Sequence, residues 1–464
     1  MPLPVPEGRQ SDVVYLPAEG HQVVLGTAGT GKTVMAIHRA AHLADPATQN
    51  NGPTLLLTHN NALVHYLRHI AAEHADRIQI EVYGRFARGY LSSLDLMPRY
   101  GGIAEGYQRD GLIAQAIADI RKRFKPNAYF DRPAAFFSDE LEWIDGQGIT
   151  RLDNYLAAER IGRMAPLQPG QRRATWLIRE RYIELRNSGG RPYDWSGLPL
   201  QVRKQLRVDA RPRVYRHVVV DEAQDLSPEA IRSLVEAVQP GGSLTLFGDY
   251  AQQIYGQRVS WKSVGLSIST PELFTDNYRN TRQIADLALA MTEMPHFKDS
   301  PDLFAPKSPA VDGALPTLVH CDSSRAEYEL ARRSATNAGR YARVGVFART
   351  RAQVKALADA IPGSTQLRKD MSRWTDDPGV YVGTYHSAKG LEFEVVILPY
   401  CGASNFPERD AIAAYGQQDA ESRDARLLYV GVTRARTELL VTYSGQLTSL
   451  LPDPASGLWT VDRP

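Results

Sequence analysis

The first residues that indicate a chemistry form a glycine-rich run at residues 26–33, Gly-Thr-Ala-Gly-Thr-Gly-Lys-Thr, which fits G-x-x-x-x-G-K-[ST]. An apolar run at residues 23–25 precedes it and a helical pattern follows it, as a phosphate-binding loop requires. Its backbone N–H groups can curl around a β-phosphate, and the helix N-terminus adds positive potential. Lys32 is predicted to reach the β- and γ-oxygens, and the Thr33 hydroxyl to ligate Mg²⁺. The predicted ATP-binding residues of this phosphate loop are Gly26, Thr27, Ala28, Gly29, Thr30, Gly31, Lys32 and Thr33.

A second candidate half-site lies far downstream, where the apolar run 216–220 ends in Asp-Glu-Ala-Gln-Asp at residues 221–225. Ligands of α/β proteins collect at the carboxyl ends of buried strands. Asp221 is predicted to hold Mg²⁺ through water, and Glu222 to polarise the attacking water as a general base. Asp225 is expected to cap the helix that follows.

Length and composition set limits on the rest of the chain. A chain of 464 residues is too long for one core and suits two to four domains. Cys321 and Cys401 cannot make a disulfide framework, which favours a reducing compartment. No apolar run approaches the roughly 18 residues that a membrane span needs. We therefore expect a cytoplasmic protein with no membrane partner.

The formal charge of the whole chain is only +2, but residues 151–216 form a basic stretch with 15 Arg plus Lys against 6 Asp plus Glu. Basic residues interleaved with aromatic ones suit nucleic acid, through phosphate neutralisation and base stacking. A solvated helical face with aromatic side chains in the core is the alternative. The aromatic residues concerned are Tyr155, Trp176, Tyr182, Tyr193, Trp195 and Tyr215.

The elements that must position these residues follow an α/β pattern. Most of the short apolar runs precede a helical pattern, which predicts parallel sheets with right-handed crossovers. The stretch from about 91 to 205 is instead helix-like and Arg-rich, which predicts a helical insertion within the first α/β domain. The predicted strands are residues 22–25, 54–58, 216–220, 243–247, 343–347, 380–382, 395–399 and 439–442.

Four further runs stand in an order that identifies a resemblance. The chain resembles the UvrD/Rep/PcrA family of superfamily 1 DNA helicases over most of its length. Residues 246–256 (LFGDYAQQIYG), 276–279 (DNYR), 382–393 (VGTYHSAKGLEF) and 428–436 (LYVGVTRAR) resemble motifs III, IV, V and VI. The resemblance implies two RecA-like motor domains that hydrolyse ATP in the cleft between them. It also implies translocation along single-stranded DNA, with 3′-to-5′ polarity.

The resemblance also implies a division of the chain. Domain 1A would comprise residues 1–90 and 206–272, with the helical insertion 1B at residues 91–205 and domain 2A at residues 273–464. Only 384 − 279 = 105 residues separate Arg279 from Thr384. The family's large 2B accessory insertion, which contacts duplex DNA, does not fit there. Translocation needs only the two motor domains, so it is implied more directly than duplex unwinding.

Roles at the ATP site follow from the matched motif positions. Arg279 and Arg434 would reach the γ-phosphate from the second RecA-like domain, so that hydrolysis depends on closure of the cleft. Gln252 would sense the γ-phosphate through its neutral amide. The resemblance places Gln10 at the adenine edge, Tyr278 against the adenine face and Glu392 at the ribose.

Nucleic-acid contacts match the family less closely. At motif Ia, His59 stands where the family usually has a stacking phenylalanine. After motif III, Gln257 and Arg258 stand near the family's usual stacking tryptophan. Each base stack is worth roughly 1–3 kcal/mol, so these changes predict an altered grip on the strand. The residues predicted to contact the strand are Thr58, His59, Asn60, Tyr255, Arg258, Thr384 and His386.

Two other functions fit the same motifs. One is a nucleic-acid-stimulated ATPase switch that gates a separate nuclease or effector protein, and it would suit a chain without the accessory domain. The other is a motor of the same superfamily that moves on RNA. A translocase would displace streptavidin from a biotinylated single strand, whereas a switch would only hydrolyse ATP.

Overall fold

The computed structural model describes residues 5–6, 8–26, 29–58, 61–71, 77–160, 163, 166–249, 261–268, 271–274, 280–297, 311–367, 375 and 377–462. Two large parallel sheets organise these residues, with helices packed around them. The helices are α1 (Arg9–Val14), α2 (Lys32–Ala44), α3 (Asn61–Ile70), α4 (Tyr83–Ser92), α5 (Gly106–Arg121), α6 (Ala134–Gly146), α7 (Leu152–Ala157), α8 (Pro169–Ser188), α9 (Leu198–Leu206), α10 (Pro228–Ala237), α11 (Arg282–Thr292), α12 (Ser324–Ala338), α13 (Arg351–Ala360), α14 (Arg409–Tyr415) and α15 (Gln417–Val432). The strands are β1 (Gly20–Gly26), β2 (Thr54–Thr58), β3 (Ile78–Val82), β4 (Ile103–Ala104), β5 (Tyr193–Asp194), β6 (Tyr215–Val220), β7 (Val238–Gly248), β8 (Glu272–Phe274), β9 (Thr317–Cys321), β10 (Arg343–Ala348), β11 (Thr365–Gln366), β12 (Gly379–Thr384), β13 (Phe393–Leu398), β14 (Ala435–Ser444) and β15 (Thr460–Asp462).

The first lobe is built on a six-stranded sheet with the order β3-β2-β6-β7-β1-β8. Every neighbouring pair in it runs parallel. Its central strands are apolar runs, such as Thr-Leu-Leu-Leu-Thr in β2, because helices cover both faces of the sheet. The four strands predicted for this half of the chain are confirmed.

The second lobe is built on a seven-stranded sheet with the order β11-β12-β10-β13-β14-β9-β15. Its neighbouring strands are also parallel, and the four strands predicted here are confirmed. The strands that sequence reasoning missed in the two sheets lie at a sheet edge or, for β9, next to one. The α/β fold of two RecA-like parallel-sheet domains, with a helical insertion in the first, is therefore confirmed.

The helical insertion contains α5 to α9 and lies in the chain between α4 and β6. Three of the six interleaved aromatic residues are buried, namely Tyr155, Trp176 and Tyr182. Of the six, only Trp195 is exposed. For these three the prediction of a base-stacking surface is wrong, and the core interpretation holds. Many of the arginines form ion pairs, among them Arg160 with Glu140, Arg179 with Asp145 and Arg186 with Asp194.

Contacts between described residues of the two lobes include the following two sets. In the first, a Cβ added to Gly390 of the second lobe would lie 2.5 Å from Cδ2 of Leu63 in α3, so the Leu63 side chain would have to move to admit a larger residue. In the second, Asp139 of α6 accepts hydrogen bonds from Tyr415 Oη at 2.7 Å and from Arg423 Nη1 at 2.9 Å. The second set connects the helical insertion to α14 and α15.

The proposed domain limits at residues 90, 205 and 272 stay a prediction. Strand β8 (Glu272–Phe274) starts at the last of these limits and pairs with β1 in the first sheet. Within the described ranges, no helix combines the length and the apolar character that crossing a membrane requires.

Candidate active site

The phosphate loop connects β1 to α2 with the backbone that its glycines allow. Gly29 has φ 85° and Gly31 has φ 80°, in the left-handed region where an L side chain is strained. A Cβ added to Gly26 would lie 2.5 Å from the Thr30 hydroxyl oxygen, so a side chain does not fit there. These glycines leave room for backbone to surround a phosphate. Thr27 and Ala28 lie outside the described residues.

Gln10 lies against this loop, and its contact with the adenine edge stays a prediction. Its Nε2 donates to the Thr30 carbonyl at 3.2 Å, and a Cβ on Gly31 would lie 2.9 Å from the same nitrogen. Helix α1, which carries Gln10, is held by Arg39 of α2. The buried Arg39 guanidinium donates to the carbonyls that follow Gln10 along the chain, those of Val14, Leu16 and Pro17, at 3.0, 2.5 and 2.7 Å. Sequence reasoning missed this anchor.

Three neighbouring strands bring the charged side chains together. The phosphate loop follows β1, Asp249 follows β7 and Asp221 follows β6, and these strands are adjacent in the sheet. Lys32 Nζ donates to the Gly26 carbonyl at 2.8 Å and lies 3.6 Å from Asp249 Oδ2. Thr33 Oγ1 donates to Asp221 Oδ2 at 2.9 Å. The side chains predicted for phosphate and metal are thus in one buried cluster.

Asp221 and Thr33 fit a hard divalent cation. Among the described residues, Asp221 Oδ1 is buried without a hydrogen-bond partner, and such a group is costly to leave unsatisfied. Burial, together with the negative charge of Glu222, raises the pKa of Asp221 to about 7, although the Thr33 hydrogen bond and Lys32 oppose the rise. Hydroxyl and carboxylate oxygens are ligands that Mg²⁺ prefers. The donor set is therefore suited to Mg²⁺.

Glu222 follows Asp221 with φ 57°, a left-handed conformation that is uncommon for a residue with a side chain. Burial raises the pKa of its carboxyl, but the positive charges of Lys389, Arg434 and Lys32 and a hydrogen bond outweigh burial, so the pKa lies below its ordinary value. The carboxylate is therefore ionised at neutral pH. Lys389 and Arg434 belong to the second lobe, so the electrostatics of Glu222 depend on both lobes.

Gln224 links two segments of the first lobe, and sequence reasoning missed it. Its Nε2 donates to Glu222 Oε2, and its Oε1 accepts from the backbone N–H of Asp249 at 2.8 Å. The side-chain amide therefore connects the acidic segment after β6 to the segment after β7. This pair of bonds fixes the direction in which the Glu222 carboxylate points.

Arg434 lies directly before β14 and is buried. Its guanidinium donates to the carbonyls of Val430 at 3.2 Å and Leu391 at 3.3 Å and to Thr433 Oγ1 at 3.3 Å. These bonds hold it in the second lobe, where its charge acts on Glu222. Glu392 comes directly before β13 and is half-buried. Gln252, Tyr278 and Arg279, for which ATP contacts were predicted, lie outside the described residues.

Asp225 forms a buried ion pair with Lys389 across the lobes, with side chains 0% and 2% exposed. The expectation that Asp225 caps α10 is wrong. The cap is Ser227, whose Oγ accepts from the Ala230 N–H at 3.2 Å, whereas the carboxylate of Asp225 is turned to the second lobe.

The predicted nucleic-acid residues are only partly described. Thr58 ends β2 and is buried, and its Oγ1 has no hydrogen-bond partner within the described ranges. Thr384 ends β12, where its Oγ1 accepts from the Ser387 N–H at 3.3 Å, and His386 beside it is half-buried. His59, Asn60, Tyr255 and Arg258 lie outside the described residues. The nucleic-acid roles stay predictions.

Comparison with known families decides the relationship. A model described as "AAA domain" matches residues 10–258, which is more than half of the chain, and "UvrD-like helicase C-terminal domain" matches residues 361–446. The chain belongs to the UvrD-like helicase family. The two matches cover the phosphate loop and the acidic segment in the first lobe and the run from β12 to β14 in the second.

Individual relatives of this UvrD-like chain match it over short segments. A probable DNA helicase II homologue of Rickettsia felis is 33% identical over 107 residues, 23% of this chain and 16% of the relative. An ATP-dependent DNA helicase PcrA of Staphylococcus aureus is 36% identical over 78 residues, 17% of this chain and 10% of the relative. The solved C-terminal domain of a possible DNA helicase from Lactobacillus is 23% identical, covers 39% of this chain and 97% of its own, and has a TM-score of 0.28. The matched segments thus span only a small part of the curated relatives' length.

Proposed function

We propose that this UvrD-like chain is an ATP-dependent translocase on single-stranded DNA that hydrolyses ATP between its two lobes. One observation carries the proposal: the phosphate loop, two carboxylates and two cations of the opposite lobe converge on one buried cluster. The residues of that cluster are Lys32, Thr33, Asp221, Glu222, Lys389 and Arg434.

Hydrolysis would use each group for a separate task. Lys32 would exchange its contacts with Gly26 and Asp249 for phosphate oxygens of ATP. Thr33 and Asp221 would hold Mg²⁺, which, when bound, neutralises the charge that develops on the phosphates. Glu222, ionised and oriented by Gln224, would accept the proton of the attacking water. The new bond forms between water oxygen and the γ-phosphorus, while the bond to the ADP oxygen breaks.

Closure of the lobes would complete the site. We propose that Arg279 and Arg434 reach the γ-phosphate from the second lobe, because a planar guanidinium suits phosphate oxygens. Repeated closing and opening would move a DNA strand across the carboxyl ends of both sheets. Thr58 ends β2 in the first sheet, and Thr384 ends β12 in the second. We propose 3′-to-5′ movement and a cytoplasmic location.

A nucleic-acid-stimulated ATPase switch is the second candidate. Asp139 joins the helical insertion to Tyr415 and Arg423 of the second lobe. A translocase must separate and rejoin its lobes at each step, whereas a switch that gates a nuclease or effector can stay closed until it is reset. A contact that opposes separation of the lobes therefore favours the switch.

Two assays test the proposal. ATP hydrolysis is measured with single-stranded DNA, duplex DNA, RNA and no polymer, and we expect the largest rate with single-stranded DNA. Displacement of streptavidin from either end of a biotinylated strand then separates the two candidates and reads the polarity. ATP-dependent displacement from the 5′ end supports the translocase. Hydrolysis without displacement from either end supports the switch, and no stimulated hydrolysis contradicts both.

A further inference from the structure

A tight loop of the second lobe, residues 385–390, contacts the first lobe through Lys389 and Gly390; we refer to it as the coupling loop. Lys389 forms the buried ion pair with Asp225, and Gly390 lies against Leu63 of α3. Gly390 has φ 77°, so a larger residue would be strained as well as obstructed. The coupling loop therefore docks on two different elements of the first lobe.

The coupling loop is held firmly to the end of β12. The N–H groups of Ser387 and Ala388 donate to the Thr384 carbonyl at 3.0 and 3.1 Å. The N–H of Lys389 donates to the His386 carbonyl at 3.4 Å. A displacement of Thr384 or His386 would therefore move Lys389 with it, since few soft dihedral angles separate them.

Asp225 lies close to Glu222, the proposed general base. It ends a short 3-10 turn, Ala223–Asp225, that begins directly after Glu222. The Asp225 N–H donates to the Glu222 carbonyl at 3.0 Å, and Gln224 within the turn holds the Glu222 side chain. A pull on the Asp225 carboxylate would thus act on the backbone that orients Glu222.

We propose that Lys389 is a positioning residue that makes hydrolysis depend on nucleic acid. A strand bound at Thr384 and His386 would set the coupling loop, and the loop would set Glu222 through the Lys389–Asp225 ion pair. The inference rests on the proposed function, because it takes the second-lobe edge to be the strand-binding edge. Its rival is an ion pair that only stabilises the contact between the lobes.

The test compares ATPase rates of Lys389→Ala, Asp225→Asn, the double variant and Lys389→Arg, each with and without oligo(dT). We expect each single change to lower the DNA-saturated kcat by about tenfold or more, with KM for ATP changed less than about threefold. The DNA-free rate falls less, so the stimulation ratio drops. Because both residues act through one bond, the double variant should be no slower than the slower single variant. Lys389→Arg, which keeps the charge, should recover most of the stimulation.

Lys355→Ala is the matched control, because it removes an exposed ion pair with Asp359 in the same lobe. It should leave the stimulation ratio as in the parent. If Lys389→Ala does not fold, Lys389→Met takes its place. Asp225→Asn and Lys389→Arg would still distinguish a positioning role from an ion pair that only stabilises the contact between the lobes.

Two results would overturn this inference but not the proposed function. In the first, the ATPase loss of the double variant equals the product of the two single losses. In the second, the variants lose the same factor with and without DNA, while the parent is still stimulated by DNA. A parent chain whose hydrolysis does not respond to DNA overturns the proposed function as well.

Discussion

Thr33 Oγ1 and Asp221 Oδ2 are joined by a 2.9 Å hydrogen bond between residues that are 188 positions apart in the chain. The bond crosses from the first turn of α2 to the end of β6, with the end of β7 between them. It places the two proposed Mg²⁺ ligands side by side before a cation is bound. Asp221 Oδ1, which has no hydrogen-bond partner among the described residues, would be available to hold the cation, directly or through water.

Removing the Thr33 hydroxyl should weaken the binding of Mg²⁺ specifically. Thr33→Val keeps the shape and loses the ligand, so the Mg²⁺ concentration for half-maximal ATPase should rise by about tenfold or more. Thr33→Ser retains the hydroxyl and serves as the control. If the Mg²⁺ titration of the Thr33→Val ATPase is the same as that of the parent, Thr33 is not a ligand.

The proposed general base and phosphate lysine should both be needed for turnover. Glu222→Gln keeps the shape of the side chain but cannot take a proton, and we expect hydrolysis to fall by about 10²-fold or more. Lys32→Ala removes a charge aimed at the phosphates and should cost about 10²-fold or more. Phosphate release at saturating ATP and DNA measures both, and DNA binding by fluorescence anisotropy should persist. Near-parental turnover in either variant would disprove that residue's assignment.

Gln224 should matter through the orientation of Glu222. Gln224→Ala removes the donor to Glu222 and the acceptor of the Asp249 N–H, so kcat should drop by about tenfold to 100-fold at a nearly constant KM for ATP. Gln224→Glu should be worse, since it places a second carboxylate beside Glu222. The control is Gln239→Ala, because the Gln239 amide donates to the backbone carbonyls of residues 213 and 214. Equal kcat in Gln224→Ala and Gln239→Ala would argue against orientation by Gln224.

The contact of Asp139 with the second lobe should contribute to stability. Asp139→Ala removes the acceptor for Tyr415 and Arg423, and the free energy of unfolding should fall by about 1–2 kcal/mol. Asp131→Ala, which breaks an exposed pair with Arg121, should cost under about 0.5 kcal/mol. Urea unfolding monitored by tryptophan fluorescence gives both values. Equal losses would show that the Asp139 contact is no stronger than a surface ion pair.

Sequence reasoning predicted the central strands of both sheets and the meeting of three first-lobe side chains, whose roles stay predictions, because both depend on local patterns. Apolar runs at β1, β2 and β6 identify buried parallel strands, and the loops after them carry Lys32, Thr33 and Asp221 together. In parallel sheets the carboxyl ends of neighbouring strands meet at one edge, so these side chains had to converge.

The rest depended on partners that are distant in the chain. Nothing near Lys389 or Asp225 shows that they pair, because 164 residues separate them. The basic stretch 151–216 suggested a nucleic-acid surface because a local count of charges omits Glu140 and Asp145, which precede it and pair with its arginines. Edge strand β3 alternates apolar and polar residues over only five positions, too few to distinguish it from a loop.

The central claim is that one triphosphate is held from both lobes, and the arginines of the second lobe test it most directly. ATPase at saturating ATP and DNA is compared for Arg279→Ala, Arg434→Lys and the parent, with binding of a fluorescent ATP analogue measured in parallel. Lysine at position 434 keeps the charge in a buried site but loses the planar fork. We predict that each variant still binds the analogue and loses about 10³-fold in kcat. A loss below about tenfold in both would contradict a site completed by the second lobe.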